Sequence, residues 1–457
     1  MRPLQGRQDP LLPRSGRSQR RRVSCRPCSY DICTYWLDPS TLHAVLALET
    51  VREFVLDRCP ARTPVSVPVA DALGLVTASE IVSAEAIPQF ANTAMDGFAV
   101  RSADVVDAPC DLRVVETIAA GHAPQVTVGP GEASRIMTGA TIPRGADAVV
   151  MVERTSLVNP DSTAADGPGS EDGAAEIVRV EVSVPPGNHV RPVGDDLHAG
   201  THVFGVGTEL TAGHLGVLCS LGMTEVEVFP RLRVGVLSTG DELVDDGSPL
   251  RPGQIRDSNR RTLLALAHRA DVVPVDLGLS PDDPDEIEAA ITTGVQTCDA
   301  IVTSGGVSMG DFDYVKAVLD RIGDMRWMQV AIKPAKPLAF GTVGDVPVFG
   351  LPGNPVSSMV SFELFARPGL RSMMGHPDPV RPPVTATAAE DLPRRADGKT
   401  HFMRVLATPS GGGVEVRSAG GQGSHMLWAM AKANALAVVP DGDGVRAGGS
   451  VDVLLLD

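Results

Sequence analysis

The chain has 457 residues, among them 47 Gly and 37 Pro, with 4% aromatics and a formal net charge of −16. That length is more than one hydrophobic core organises and predicts two to four domains, while the acidic balance excludes non-specific nucleic-acid binding, which needs a positive surface. No apolar stretch approaches the ~20 residues of a membrane helix, and Cys59, Cys110, Cys219 and Cys298 are scattered as reduced thiols are; a soluble, cytosolic, multidomain protein is expected.

Residues 1–40 carry Arg2, Arg7, Arg14, Arg17 and the run Arg20–Arg22 without apolar periodicity, and read as a disordered extension or an upstream start codon. Cys25, Cys28 and Cys33 follow as C-x2-C-x4-C. A zinc site there would want a fourth ligand, and the nearest histidine, His43, falls in a helical pattern. Ser40 or Thr41 would cap a helix in which Leu42, Val45, Leu46, Leu48, Val51, Phe54 and Val55 recur at helical spacing. From Val65 the apolar runs shorten to strand length and continue through 112–118, 148–152 and 177–184, predicting a small β-domain. Residues 159–174, rich in Asp, Ser, Gly and Pro, form a solvated loop within it, and Asp96-Gly97 taken alone reads as a hairpin turn.

From Arg231 strands alternate with helices: a strand at 232–237, a helix at 263–270, a strand at 272–277, a helix at 284–293, a strand at 300–302 and a helix at about 313–322. This rhythm predicts a mostly parallel sheet covered on both faces. The runs 337–343 and 346–351 flank Gly344-Asp345 and predict a hairpin, hence an antiparallel edge, before a last helix at about 356–366 that stops ahead of Pro368. Residues 377–383 read as a Pro-rich linker, and residues 384–457 as a small β-barrel or sandwich.

Ligands of such sheets sit beyond the carboxyl ends of the strands, which puts 238–242, 304–313 and 352–354 along one rim. In DAIVTSGGVSMGDFDY, Gly305 and Gly306 end a strand, and Ser308, Asp311 and Asp313 lead into a helix. Such a corner either is a tight turn or brings backbone N–H groups to an anion, with the carboxylates holding a divalent metal on it. Glu242 is a metal ligand, a proton-transfer group or an ordinary surface turn; one of Asp282 and Asp283 caps the helix that opens with Pro284. Asn354 likewise is a cap or, with Pro352, Gly353 and Pro355, part of a phosphate approach. Lys333 and Lys336, on a chain held extended by proline, are either ordinary exposed lysines or, beside this acidic rim, the complement of an anion held through a metal.

The segments NTAMDGFAV, RIMTGATIPRGADAVVMVE, GVLSTGDEL, GQIRDSNR, VTSGGVSMGDFDYVK, IKPAKPLAFG and GLPGNPVSSMVSF occur in the order in which the molybdopterin molybdenumtransferase family carries them. The resemblance covers roughly residues 42–457. It implies a homodimer of multidomain α/β-plus-β subunits: a discontinuous, helix-containing domain (41–92 with 185–229), an inserted β-domain (93–184), a three-layer α/β domain (230–375) and a C-terminal β-barrel-like domain (376–457). It also implies that adenylyl-molybdopterin and molybdate are the substrates, that AMP is released, and that Mg2+ assists. The family's functional carboxylates would be Asp96, Asp196, Glu242, Asp282 and Asp313, with Glu242 and Asp313 on the metal and Thr138 at the same cleft. Lys333, Lys336 and Ser357, joined by Arg404 and Ser424 from the last domain, match the family's molybdate pocket; Gln329 stands where some bacterial members have a further lysine. The upstream molybdopterin adenylyltransferase and recipient molybdoenzymes would be partners. Two readings compete with insertion: the upstream adenylylation itself, on a similar α/β fold, and a non-catalytic scaffold or cofactor carrier.

Overall fold

In the computed structural model the described residues are 45–158, 176–307 and 314–456. The Arg-rich extension with Cys25, Cys28 and Cys33, the 159–174 loop, and Ser308, Asp311 and Asp313 lie outside them. From Leu46 the chain forms one compact unit, and among the described residues no helix is long and apolar enough to cross a membrane.

The α/β layer contains β1 (Arg233–Thr239), α1 (Asn259–Arg269), β2 (Val273–Ser280), α2 (Pro284–Thr297), β3 (Ala300–Ser304), α3 (Tyr314–Ile322), β4 (Asp324–Val330), β5 (Pro337–Val343), β6 (Val346–Leu351) and α4 (Pro355–Ser361). Its strands run in the order β4-β5-β6-β3-β1-β2, with the short strand Val45–Leu46 outside β4. The pairs β2–β1, β1–β3 and β3–β6 are parallel, whereas β6–β5 and β5–β4 are antiparallel. The step from β1 to β2 and the return to β3 run in opposite directions, so right-handed crossovers put α1 and α2 on opposite faces. One face is closed by Ile287 and Ile291 of α2 and Val315, Val318 and Leu319 of α3, packed on Leu237, Ile301 and Val348. The sequence pattern of a covered parallel sheet with an antiparallel edge is what the chain builds; β4, whose Asp324, Arg326 and Gln329 break up its apolar run, is a strand the sequence reading does not predict.

Three sequence expectations need correction. The first helix is Leu48–Asp57, preceded by a short strand at Val45–Leu46, rather than one helix from Ser40 or Thr41. Leu46 gives its carbonyl to the N–H of Ala331 at 2.8 Å, which takes it out of helical pairing, and Ala47 is extended. The last helix of the layer does not stop before Pro368: a π-turn at Phe362–Ala366 leads into a further α-helix, Arg367–Met373. Pro368 falls in that helix's first turn, where a missing N–H is tolerated. Asp96-Gly97 closes no hairpin, because Asn92–Thr93 pairs with Val190–Arg191 while Gly97–Val100 joins a different sheet.

That second sheet has six strands in the order Thr155–Leu157, Ile177–Val180, Cys110–Ile118, Glu132–Ile136, Gly97–Val100 and Ala148–Met151, over a core that includes Phe98, Leu112, Val150 and Val178. The segments before and after it pair with one another. Val65–Pro68 and Val76–Thr77 flank Glu225–Phe229, and Ile81–Val82 pairs with His202–Phe204. In the last part of the chain Val384–Ala388, Thr400–Ser410, Gly413–Ser418, Ala435–Val439 and Ser450–Leu455 close on themselves, because Thr400–Ser410 pairs with both Gly413–Ser418 and Ala435–Val439. This is a small barrel filled by Ala386, Val405, Val416, Ala437 and Val453.

Candidate active site

Connections leave β1 toward β2 and leave β3 toward the opposite side of the sheet, so a crevice opens between the carboxyl ends of these two neighbours. Gly305 (φ 95°) and Gly306 (φ 69°) turn the chain there in the left-handed region. The approach is close: a Cβ on Gly305 would stand 3.4 Å from the Thr239 carbonyl oxygen, and one on Gly353 only 3.8 Å from the Gly305 Cα. The Gly305 N–H donates to the Leu351 carbonyl at 3.0 Å, tying the β3 end to the β6 end. Thus Gly305, Gly353 and Asn354, remote in sequence, share one corner.

The acidic side of the rim is built from two loops. The Asp282 N–H donates to Asp241 Oδ1 at 3.1 Å, and the Asp241 N–H makes a longer bond of 3.5 Å to Asp282 Oδ2. Asp283, not Asp282, caps α2, accepting from the N–H groups of Asp285 (2.9 Å) and Glu286 (3.1 Å). Glu242 folds back over Gly240, where a Cβ would meet its carboxylate at 2.4 Å, and its side chain has no hydrogen-bond or ion-pair partner among the described residues. Among those residues no three His, Cys, Asp or Glu side chains form a ready-made metal cage. Mg2+ does not require one, since it keeps waters and takes one or two carboxylates together with substrate phosphates. The carboxylate oxygens of Glu242 and its neighbours are hard donors that fit it.

The cationic side comes from the loop between β4 and β5 and from the barrel. Lys333 and Lys336 are exposed. Ile332–Lys333 forms a parallel pair with Thr400–His401, and the Thr400 N–H donates to the Ala331 carbonyl at 2.9 Å. Burial, with the Arg394 and Lys333 cations, holds His401 below its ordinary value despite its bonds to Asp397 at 3.1 and 3.2 Å. Arg404 is fully buried. Its Nη2 donates to the carbonyls of Gly421 (2.6 Å) and Gly423 (3.2 Å), whereas Nε and Nη1 have no partner among the described residues. Burial pushes the Arg404 guanidinium below its usual value. The neighbouring Ser424 carbonyl accepts from the Val356 N–H at 3.1 Å, in the first turn of α4 that also holds Pro355 and the buried Ser357. Pro352 is buried just before the turn. Lys333, Arg404 and the glycine corner are therefore connected through the barrel's backbone.

Asp96, Thr138 and Asp196 are not brought to this rim by their own contacts. Asp96 accepts from the Thr138 N–H (2.6 Å) and Oγ (2.7 Å), bonds that hold its carboxyl below the usual carboxylate range. The pair stands on the six-stranded sheet, flanked by exposed Met95, Met137 and Val152. Asp196 is exposed on the segment returning from that sheet, and its N–H donates to the Ile87 carbonyl at 3.0 Å. The segment GQIRDSNR also carries Asp257, Asn259 and Arg260, whose side chains fasten the rim; in the sequence this polar run ahead of α1 reads as an ordinary helix start, and no local signal separates the two.

Comparison with known proteins agrees with this architecture. Three family models match in order: MoeA N-terminal region (domain I and II) at residues 46–222, probable molybdopterin binding domain at 235–372, and MoeA C-terminal region (domain IV) at 385–456. The chain is 37% identical over 412 residues to the molybdopterin molybdenumtransferase of Haemophilus influenzae, covering 90% of this chain and 98% of the relative. It is 40% identical over 399 residues to molybdopterin molybdenumtransferase 2 of Mycobacterium tuberculosis, covering 85% and 93%. A crystal structure of a molybdopterin biosynthesis MoeA protein from Pyrococcus horikoshii superposes with a TM-score of 0.73 at 28% identity, covering 91% of this chain and all of that one. Glycine corner, acidic rim and barrel-borne arginine thus lie in a chain that aligns with more than nine-tenths of each of these relatives: it belongs to the molybdopterin molybdenumtransferase family, enzymes of molybdenum cofactor biosynthesis.

Proposed function

We propose that this enzyme takes adenylyl-molybdopterin and molybdate, cleaves the pyrophosphate-type bond of the first, releases AMP and leaves molybdenum on the dithiolene. The observation that carries the reading is Arg404: a fully buried guanidinium with two nitrogens unpaired among the described residues, joined through Gly423 and Ser424 to the first turn of α4. A buried cation without a counter-charge is costly, and an oxyanion at that point relieves the cost. Lys333 and Lys336 attract the molybdate, and Arg404, Ser357 and Ser424 hold it. The backbone N–H groups of Gly306, Gly353 and Asn354, with Ser308, would receive the phosphates, while Gly305, Pro352 and Pro355 shape the turns that present them. Glu242 and Asp313 would hold Mg2+, which when bound spreads the phosphate charge.

Asp282 borders the same acidic rim. Asp96, Thr138 and Asp196 complete the cleft from the second subunit of a homodimer; the exposed Met95, Met137 and Val152 around them support such a covering surface. The pairing of 65–93 with 190–229 around the inserted sheet supports the four-domain division. The free Cys59, Cys110, Cys219 and Cys298 support a reducing, cytosolic setting.

Single-turnover AMP release from adenylyl-molybdopterin, with Mg2+ and with molybdate present or omitted, tests the proposal. Release that needs molybdate is expected. ATP consumption with free molybdopterin would point to the upstream adenylylation, and binding without AMP release to a carrier.

A further inference from the structure

The run Asp257–Arg260 contributes none of the contacts proposed above, yet several rim segments are fastened to it. The Asn259 side-chain amide, at the start of α1, donates to Ser304 Oγ at 2.8 Å and to the Gly353 carbonyl at 2.7 Å. These partners lie 45 and 94 positions further along the chain. An amide has two N–H donors, so both are used, one on the β3 end beside Gly305 and one on the turn ahead of α4. The next residue, Arg260, is 4% exposed. It binds Asp276 at 2.5 and 2.7 Å, Asp257 at 3.1 Å, and Asp245 in the loop that carries Glu242. Asp257 in turn accepts from Ser238 Oγ, near the β1 end, at 3.2 Å. Two glycine corners and the acidic loop are therefore referenced to a single helix start.

We propose that Asn259 is a positioning residue of the insertion reaction. It sets the distance between the turn that follows Ser304 and the Gly353–Asn354 turn so that the backbone N–H groups of Gly306, Gly353 and Asn354 together meet the substrate's phosphates, while Arg260 holds the Glu242 loop against the same helix. The inference rests on the adenylyl-molybdopterin reading above. The geometry also assigns it a selective effect. Lys333 and Lys336 sit on another loop, anchored to the barrel through Thr400 and His401, so loss of the Asn259 clamp falls first on phosphate binding and reaches molybdate capture only indirectly, through the α4 turn that carries Ser357.

The test uses the full chain with Asn259→Asp, which keeps the shape and turns both donors into acceptors, and Ser304→Ala, which removes only one partner. KM for adenylyl-molybdopterin, the molybdate concentration for half-maximal AMP release, and the thermal midpoint are read together. For Asn259→Asp a rise of about 10- to 100-fold in substrate KM is expected, the scale of a misplaced binding group, with molybdate dependence changed by no more than about twofold and the midpoint near wild type. Ser304→Ala should lie between this variant and wild type. A folded Asn259→Asp enzyme with wild-type substrate KM overturns the inference, and so does an equal loss for substrate and molybdate, which would mark a merely structural role. If Asn259→Asp does not fold, Ser304→Ala decides, and an unchanged substrate KM there overturns the inference as well. If wild type itself releases no AMP, the substrate reading falls and takes this inference with it, an outcome distinct from a variant that behaves like an active wild type.

Discussion

His376 shows how far a single side chain can be taken from its solution behaviour. It is buried, and its Nδ1 sits 2.9 Å from an Arg371 guanidinium nitrogen and 3.4 Å from Glu209. Burial first, then the Arg371 and Arg367 cations, lowers its pKa from 6.5 to about 4. The unfolded chain thus binds the proton more readily than the folded one. Stability is complete above pH 6.5 and falls as the pH drops toward 4, by at most about 3 kcal/mol. His376→Asn should flatten this part of the pH dependence; urea midpoints of both proteins at neutral pH and near pH 4.5 would show it, and parallel falls would contradict it. Arg404 is the contrasting case, a buried charge left partly unpaired where the proposed oxyanion binds. The identities of Arg404, Lys333 and Ser357 were legible in the sequence through their motifs. Their burial and pairing were not, because neither follows from local order.

Adjacent residues can serve different elements. Asp283 caps α2, whereas Asp282 faces Asp241 across two rim loops. Asp283→Ala should cost about 1 kcal/mol of stability, the usual value of a side-chain cap, with AMP release retained. Asp282→Ala should leave the denaturation midpoint near wild type and reduce AMP release. Equal stability losses in the two variants would refute the division. Periodicity located α1, α2, α3 and the β5–β6 hairpin, because each has its own apolar spacing and its own turn residues. It missed β4, whose pairing with β5 supplies the order, and it placed the first helix too early, because an inter-strand bond at Leu46 outcompetes the helical pattern. Pro368 likewise reads as a stop until the π-turn ahead of it shifts it into a first helical turn.

On the scale of the whole molecule, the proposed cleft draws on the α/β rim, the barrel and, across a two-fold axis, the inserted sheet. If Asp96 and Asp282 act in one cleft from different subunits, separately inactive Asp96→Ala and Asp282→Ala proteins should recover activity when their subunits are exchanged. In a random mixture half of the dimers carry one intact cleft and one doubly altered cleft, so recovery should reach roughly a quarter of wild type for a symmetric dimer. Absence of recovery in a mixture shown to contain mixed dimers would mean that both residues act within one subunit. By itself the sequence determined the family, the alternation of strands and helices, and the chemical types along the rim, because long ordered motifs and apolar spacing are properties of the chain's own order. Only the tertiary structure decided that Asn259 clamps Ser304 to Gly353, that Lys333 is laid against His401, and that Arg404 is buried with donors to spare. Those facts depend on which distant segments share a sheet edge or a helix start, and that choice is made by global packing.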